Sequence, residues 1–127
     1  MQNYIIVFIG AGLGGVLRYW GSNVVYKFLP STFPYGTLAV NILGCFIIGI
    51  VMYYFNNNDL ISPKWRIFLT VGICGGLTTF SAFSYETISL LKEREFLFAG
   101  LNVLANVIIT LLALFAAYKI SKLLSGV

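Results

Sequence analysis

Gly72-Ile73-Cys74-Gly75-Gly76-Leu77-Thr78-Thr79-Phe80-Ser81-Ala82-Phe83-Ser84 lies in the middle of an apolar run that extends from about Ile67 to Leu91. A bilayer-crossing helix needs roughly 20 apolar residues, and this run is long enough. Yet a Gly-Gly pair followed by two Thr and two Ser is a poor helix former. A break at that depth would free backbone carbonyls in hydrocarbon, which is tolerated only where they are buried in protein, line a cavity or bind something. Free carbonyls and Thr hydroxyls are hard oxygen ligands, suited to a small hard cation. The alternative is an intact helix whose glycines pack closely and whose hydroxyls bond the preceding turn. On either reading the segment crosses a membrane.

Three more runs of the same kind flank it. They extend from about Tyr4 to Val24, Tyr35 to Phe55 and Phe96 to Tyr118. Pro30-Ser31-Thr32-Phe33-Pro34, Asn56-Asn57-Asn58-Asp59 with Ser62-Pro63, and Lys92-Glu93-Arg94-Glu95 connect them. Pro and Asn stop helices, and the charges keep these connectors in water. None is long enough for a soluble domain. The expected architecture is all-α, one transmembrane domain over residues 1–127 with spans near 4–24, 35–55, 67–91 and 96–118. The first run has no basic segment before it, so it reads as a retained span and not as a signal peptide.

Composition agrees. Only 9% of the 127 residues are charged and 59% are hydrophobic, whereas a soluble domain carries about 25% charged residues. The eight Lys and Arg against four acids mostly flank apolar runs, where they meet lipid headgroups. The surplus therefore points to membrane lipid and not to nucleic acid. There is no His, and Cys45 and Cys74 both lie inside apolar runs. That excludes His-based catalysis and a dense Cys/His metal site, and no nucleophile–base pairing suggests an enzyme.

Four spans put both termini on one side. Lys64, Arg66, Lys119 and Lys122 then face Lys27, Lys92 and Arg94, four against three. Lys/Arg bias sets orientation, and a difference of one sets it weakly. Copies inserted both ways up and paired antiparallel are the expectation; the alternative is one fixed orientation set by other features. Gly10 with Gly14, Gly72 with Gly76, and Ala11 with Gly15 have the spacing that lets helices approach closely.

The remaining polar residues form stripes. Thr37 and Asn41 are four apart on the second span, and Asn102, Asn106 and Thr110 follow at i, i+4 and i+8 on the fourth. Such stripes face protein or water. The Asn41 amide can donate to an anion or bond a partner helix. Phe80 and Phe83 share a face if the helix resumes, and a phenyl edge is the positive part of its quadrupole. Arg18 and Glu86 are the charges deep enough to need partners, with Glu86 open to Arg18, Lys92 or water.

Three motifs in order resemble the Fluc family of fluoride channels over the whole chain. They are Gly14-Gly15-Val16-Leu17-Arg18-Tyr19, Gly36-Thr37-Leu38-Ala39-Val40-Asn41-Ile42-Leu43-Gly44, and Gly75-Gly76-Leu77-Thr78-Thr79-Phe80-Ser81-Ala82-Phe83-Ser84. The resemblance implies a fluoride-selective channel that lets fluoride leave the cytoplasm passively, in the inner membrane of a bacterial cell. It implies four transmembrane helices per subunit, the third broken near its middle, in an antiparallel, dual-topology homodimer with two pores. By similarity Asn41, Phe80 and Phe83 line the fluoride path, with Thr37, Ser81, Ser84 and Thr110 as further polar candidates. Arg18 matches the first-helix arginine, with a vestibule or structural role. The main-chain carbonyls of Gly75 and Thr78, from both subunits, are the expected ligands of a structural sodium ion. The rival reading is a small proton-coupled multidrug exporter, but those depend on an acid in the first helix and this one has none.

Overall fold

The structure, a computed structural model, describes residues 1–126. Four helical spans, Gln2–Val25, Tyr35–Asn56, Pro63–Lys92 and Phe96–Ser125, are long and apolar enough to cross a membrane. The first is a single helix, α1 (Gln2–Val25). The second is α2 (Tyr35–Ile50), continued by a π-helical segment over Val51–Asn56. The third comprises α3 (Pro63–Ile67), a π-helical segment over Phe68–Cys74, α4 (Gly75–Leu77) and α5 (Phe80–Lys92). The fourth is α6 (Phe96–Ser125). It continues past the apolar run that ends near Tyr118, because Lys119, Lys122 and the leucines beside them are good helix formers. It stops at Gly126, whose φ of 68° is left-handed.

The third span is broken. Thr78 (φ −84°, ψ 156°) and Thr79 (φ −153°, ψ 121°) are extended between α4 and α5. The helix restarts because Thr79 is its N-cap, with Oγ1 accepting the Ala82 N–H at 3.1 Å.

Small residues bring α1 against this broken span. A Cβ on Gly10 would lie 2.9 Å from the Gly72 Cα, one on Gly14 would strike the Ile73 carbonyl, and one on Gly76 the Ala11 carbonyl. The two GxxxG pairs read from the sequence therefore pack on each other, backbone to backbone. On the other side α2 lies along α6. There Gly49 admits Ala117, which is fully buried. Gly44 leaves room for the methyl of Thr78, so α2 also seats the break.

Two connectors close in the same way. Asp59 (φ 55°) and Arg94 (φ 61°) are left-handed, and the next N–H reaches back, Leu60 to the Phe55 carbonyl and Glu95 to the Leu90 carbonyl, each at 2.8 Å. This is the helix-ending turn usually supplied by Gly. At the start of α3, Ser62 caps and Pro63 takes the first position, where its missing N–H costs nothing.

Candidate functional site

The site is built on the break. In a continuous helix the Thr79 N–H would bond the Gly75 carbonyl and the Ala82 N–H would bond the Thr78 carbonyl. Instead the Thr79 N–H donates to Asn41 Oδ1 at 2.8 Å, and the Ala82 N–H donates to Thr79 Oγ1 at 3.1 Å. Both carbonyls thereby lose their helical donor. Such oxygens at unwound backbone are the ligands that hold sodium in membrane proteins. The donor set therefore fits a hard monovalent cation. Among the described residues no group of His, Cys, Asp or Glu could hold a metal instead. The Thr78 hydroxyl faces away from this role, donating to the Cys74 carbonyl at 2.9 Å.

Asn41 secures the break from α2. Besides accepting from Thr79, its Nδ2 donates to the Thr79 carbonyl at 3.2 Å and to Asn106 Oδ1 at 3.0 Å. Both amide hydrogens are thus engaged. From Asn106 the chain continues through α6. Asn106 Nδ2 donates to Asn102 Oδ1 at 2.9 Å, Asn102 Nδ2 to Thr87 Oγ1 at 3.0 Å, and the Thr87 hydroxyl to the Phe83 carbonyl at 2.8 Å. The three asparagines are buried. The fourth-span stripe is therefore a hydrogen-bonded ladder facing protein.

A cavity of about 370 Å³ opens beside this ladder, lined by Asn41, Cys45, Thr78, Thr79, Phe80, Phe83, Asn106, Val107, Thr110 and Leu111. It contains no formal charge. The Phe80 and Phe83 rings stand 5.3 Å apart at 60° to one another. Phe83 is buried, whereas Phe80 is 79% exposed on the outside of the chain. Both belong to the first turn of α5, where the Phe80 and Ser81 N–H groups have no preceding turn to bond. The positive end of that half-helix therefore lies at mid-span.

A second cavity of about 310 Å³ includes Arg18, Ser22, Asn23, Tyr26, Thr37, Thr79 and Glu86. Thr79 borders both cavities. The Thr37 hydroxyl donates to Glu86 Oε1 at 2.5 Å, while the buried Oε2 of Glu86 has no hydrogen-bond partner among the described residues. Of the two side chains open to Glu86 from the sequence, neither Arg18 nor Lys92 bonds it; Thr37 does.

The structure thus brings Asn41, Phe80, Phe83 and Thr110 to one cavity, with Thr78 in its wall. Thr37 and Arg18 line the second. Ser81 and Ser84 line neither. Ser81 Oγ lies 3.1 Å from Thr79 Oγ1, and Ser84 donates to the Phe80 carbonyl at 2.9 Å. The Thr110 hydroxyl bonds the Asn106 carbonyl, so its proton serves the helix. Sequence reasoning passed over Thr79 and Cys45. The signal for Thr79 was present in its residue type, a strong N-cap directly before a resuming helix. Cys45 carried no signal, being a small residue in an apolar run.

Residues 5–118 match the family model described as CrcB-like protein, Camphor Resistance (CrcB). Curated relatives are similar over nearly the whole chain. A Geotalea daltonii protein is 49% identical, over 87% of this chain and 90% of its own. A Pyrococcus abyssi protein is 44% identical over 96% and 98%, and one from Flavobacterium psychrophilum 41% identical over 96% and 98%. Each of the three is named a fluoride-specific ion channel, FluC.

Proposed function

This chain belongs to the CrcB-like family, and we propose that it is a fluoride-selective ion channel through which fluoride leaves the cytoplasm down its gradient. The observation that carries the reading is the half-helix that begins at Phe80 in mid-span, beside a buried amide and two phenyl rings, in a cavity without formal charge. Fluoride is small and strongly hydrated, so a pore must replace its water with several donors. A full Lys or Arg there would hold the ion too tightly for fast exit. Unpaired N–H groups at a helix start and phenyl edges are positive without that cost. Arg18, in the neighbouring cavity, raises the local anion concentration before entry. The proton-coupled exporter alternative is given up: the relatives are named as channels, and the first span has no acid.

The working unit is an antiparallel homodimer of dual topology in a bacterial inner membrane. Gly75 and Phe80 lie on the exterior of the subunit, and bare carbonyls cannot face lipid. A second copy over this face would cover the break and complete the cavity wall around Phe80. The near-balanced Lys/Arg tally favours insertion both ways up. The carbonyls of Gly75 and Thr78 from both copies would hold sodium, which supplies positive charge at the dimer centre.

Fluoride efflux from loaded liposomes tests the function. Purified protein should release fluoride passively, without ATP or a proton gradient. Absence of release from folded, correctly inserted protein would refute it.

A further inference from the structure

The asparagine ladder has a property that its members lack singly: its polarity can reverse. Asn41 cannot turn toward an anion freely. Its Oδ1 and one N–H are tied to the N–H and carbonyl of Thr79, and releasing them would strand both groups of the break. Its other N–H is held by Asn106 Oδ1. An anion entering beside Asn106 meets the negative end of that amide. Turning the Asn106 amide over would present Nδ2 instead, and would bring Oδ1 against the Asn102 oxygen that now accepts from it. That clash disappears if Asn102 also turns. Its Nδ2 then donates to Asn106, and its Oδ1 needs a donor at the far end. Thr87 can be that donor. Its hydroxyl now accepts from Asn102 and donates to the Phe83 carbonyl, and a hydroxyl can rotate to donate elsewhere. The Phe83 and Asn102 carbonyls each keep a helical partner throughout.

We propose that Asn106 is a switching residue of the pore. In one setting its amide accepts from Asn41. In the other it donates an N–H to the passing fluoride, and Asn41 donates the N–H that Asn106 has released. Asn102 and Thr87 are positioning residues that let the ladder reverse without leaving a buried polar group unpaired. Two donors then appear together when the ion arrives and are withdrawn when it leaves, which suits both entry and exit. A larger halide forms weaker hydrogen bonds and would not offset the reversal. The ladder thus contributes to selectivity. This inference rests on the fluoride-channel reading.

Asn106→Asp tests it, because an ionised carboxylate still accepts from Asn41 but has no hydrogen to donate. At about pH 8 fluoride efflux should fall about tenfold or more, the scale of one hydrogen bond to a charged group. Protonation of the carboxyl at low pH gives it an O–H, which restores a donor. Efflux by this variant should therefore recover toward pH 5.5, relative to wild type at each pH. Wild-type rates across that range would overturn the proposal. Thr87→Val gives a second reading should the first variant fail to fold. It should raise the half-saturating fluoride concentration severalfold, and a half-saturation equal to wild type would overturn the ladder's role. Wild-type protein that releases no fluoride would instead refute the channel reading itself.

Discussion

Asn41 on α2 accepts the Thr79 N–H at 2.8 Å and donates back to the Thr79 carbonyl at 3.2 Å. One side chain thus satisfies both backbone groups of a residue that has left its helix. The break is not a local accident of Gly75 and Gly76; it is a tertiary contact between the second and third spans.

Asn41→Ala should therefore destabilise the fold as well as stop conduction. It strands both groups of Thr79, each costing about 1–3 kcal/mol when buried without a partner. The detergent-solubilised variant should melt well below wild type. Equal melting temperatures would mean that the Thr79 groups find other partners.

The glycines divide into two classes that substitution should separate. Gly76→Ala places a methyl on the Ala11 carbonyl, and Gly14→Ala places one on Ile73. Neither backbone can move without opening α1 from the third span, so both variants should give little folded protein. Gly12→Ala meets nothing within 4 Å in the subunit and should be neutral or gain about 0.5–1 kcal/mol from helix propensity. Yield and melting temperature of the three variants check this.

Phe80→Ile and Phe83→Ile should share a functional defect but differ in stability. Phe83 is 8% exposed and Phe80 79%. Only the first should lose about 1 kcal/mol or more of subunit packing. Fluoride efflux should drop in both with the dimer intact, because both lose a ring edge at the cavity. Unchanged efflux in both would return the rings to a packing role.

If the proposed dimer holds sodium at its centre, removing the ion should weaken it. Exchange into a bulky organic cation should lower the melting temperature and loosen the dimer on size-exclusion chromatography, and sodium should restore both. Identical behaviour in the two media would argue against a cation on the Gly75 and Thr78 carbonyls.

Much of this was legible in the residues because lipid restricts the options so severely. Four apolar runs with polar connectors mean four spanning helices, since no other local structure satisfies a backbone in hydrocarbon. Gly10, Gly14, Gly72 and Gly76 announced close helix contacts but not which pairs would meet, because spacing marks a face and not its partner. Gly75-Gly76-Leu77-Thr78-Thr79 announced a third helix broken near its middle, and the structure breaks it there, but the residues did not say what would hold the break.

What the sequence by itself determined is therefore the solvent, the number of crossings and the absence of charge from the second and fourth runs. These follow from composition and period alone. The tertiary structure decided which residues the expected break of the third span extends, Thr78 and Thr79, and what holds it. An α-helix here competes with an extended Thr78-Thr79 only because Asn41, far away in the chain, takes over the hydrogen bonds that the helix gives up. It also decided that Asn102 and Asn106 form a ladder to Thr87 and Asn41, and that Glu86 meets Thr37. Hydrogen-bond partners across helices depend on rotation and depth, and neither is encoded in the periodicity of one segment.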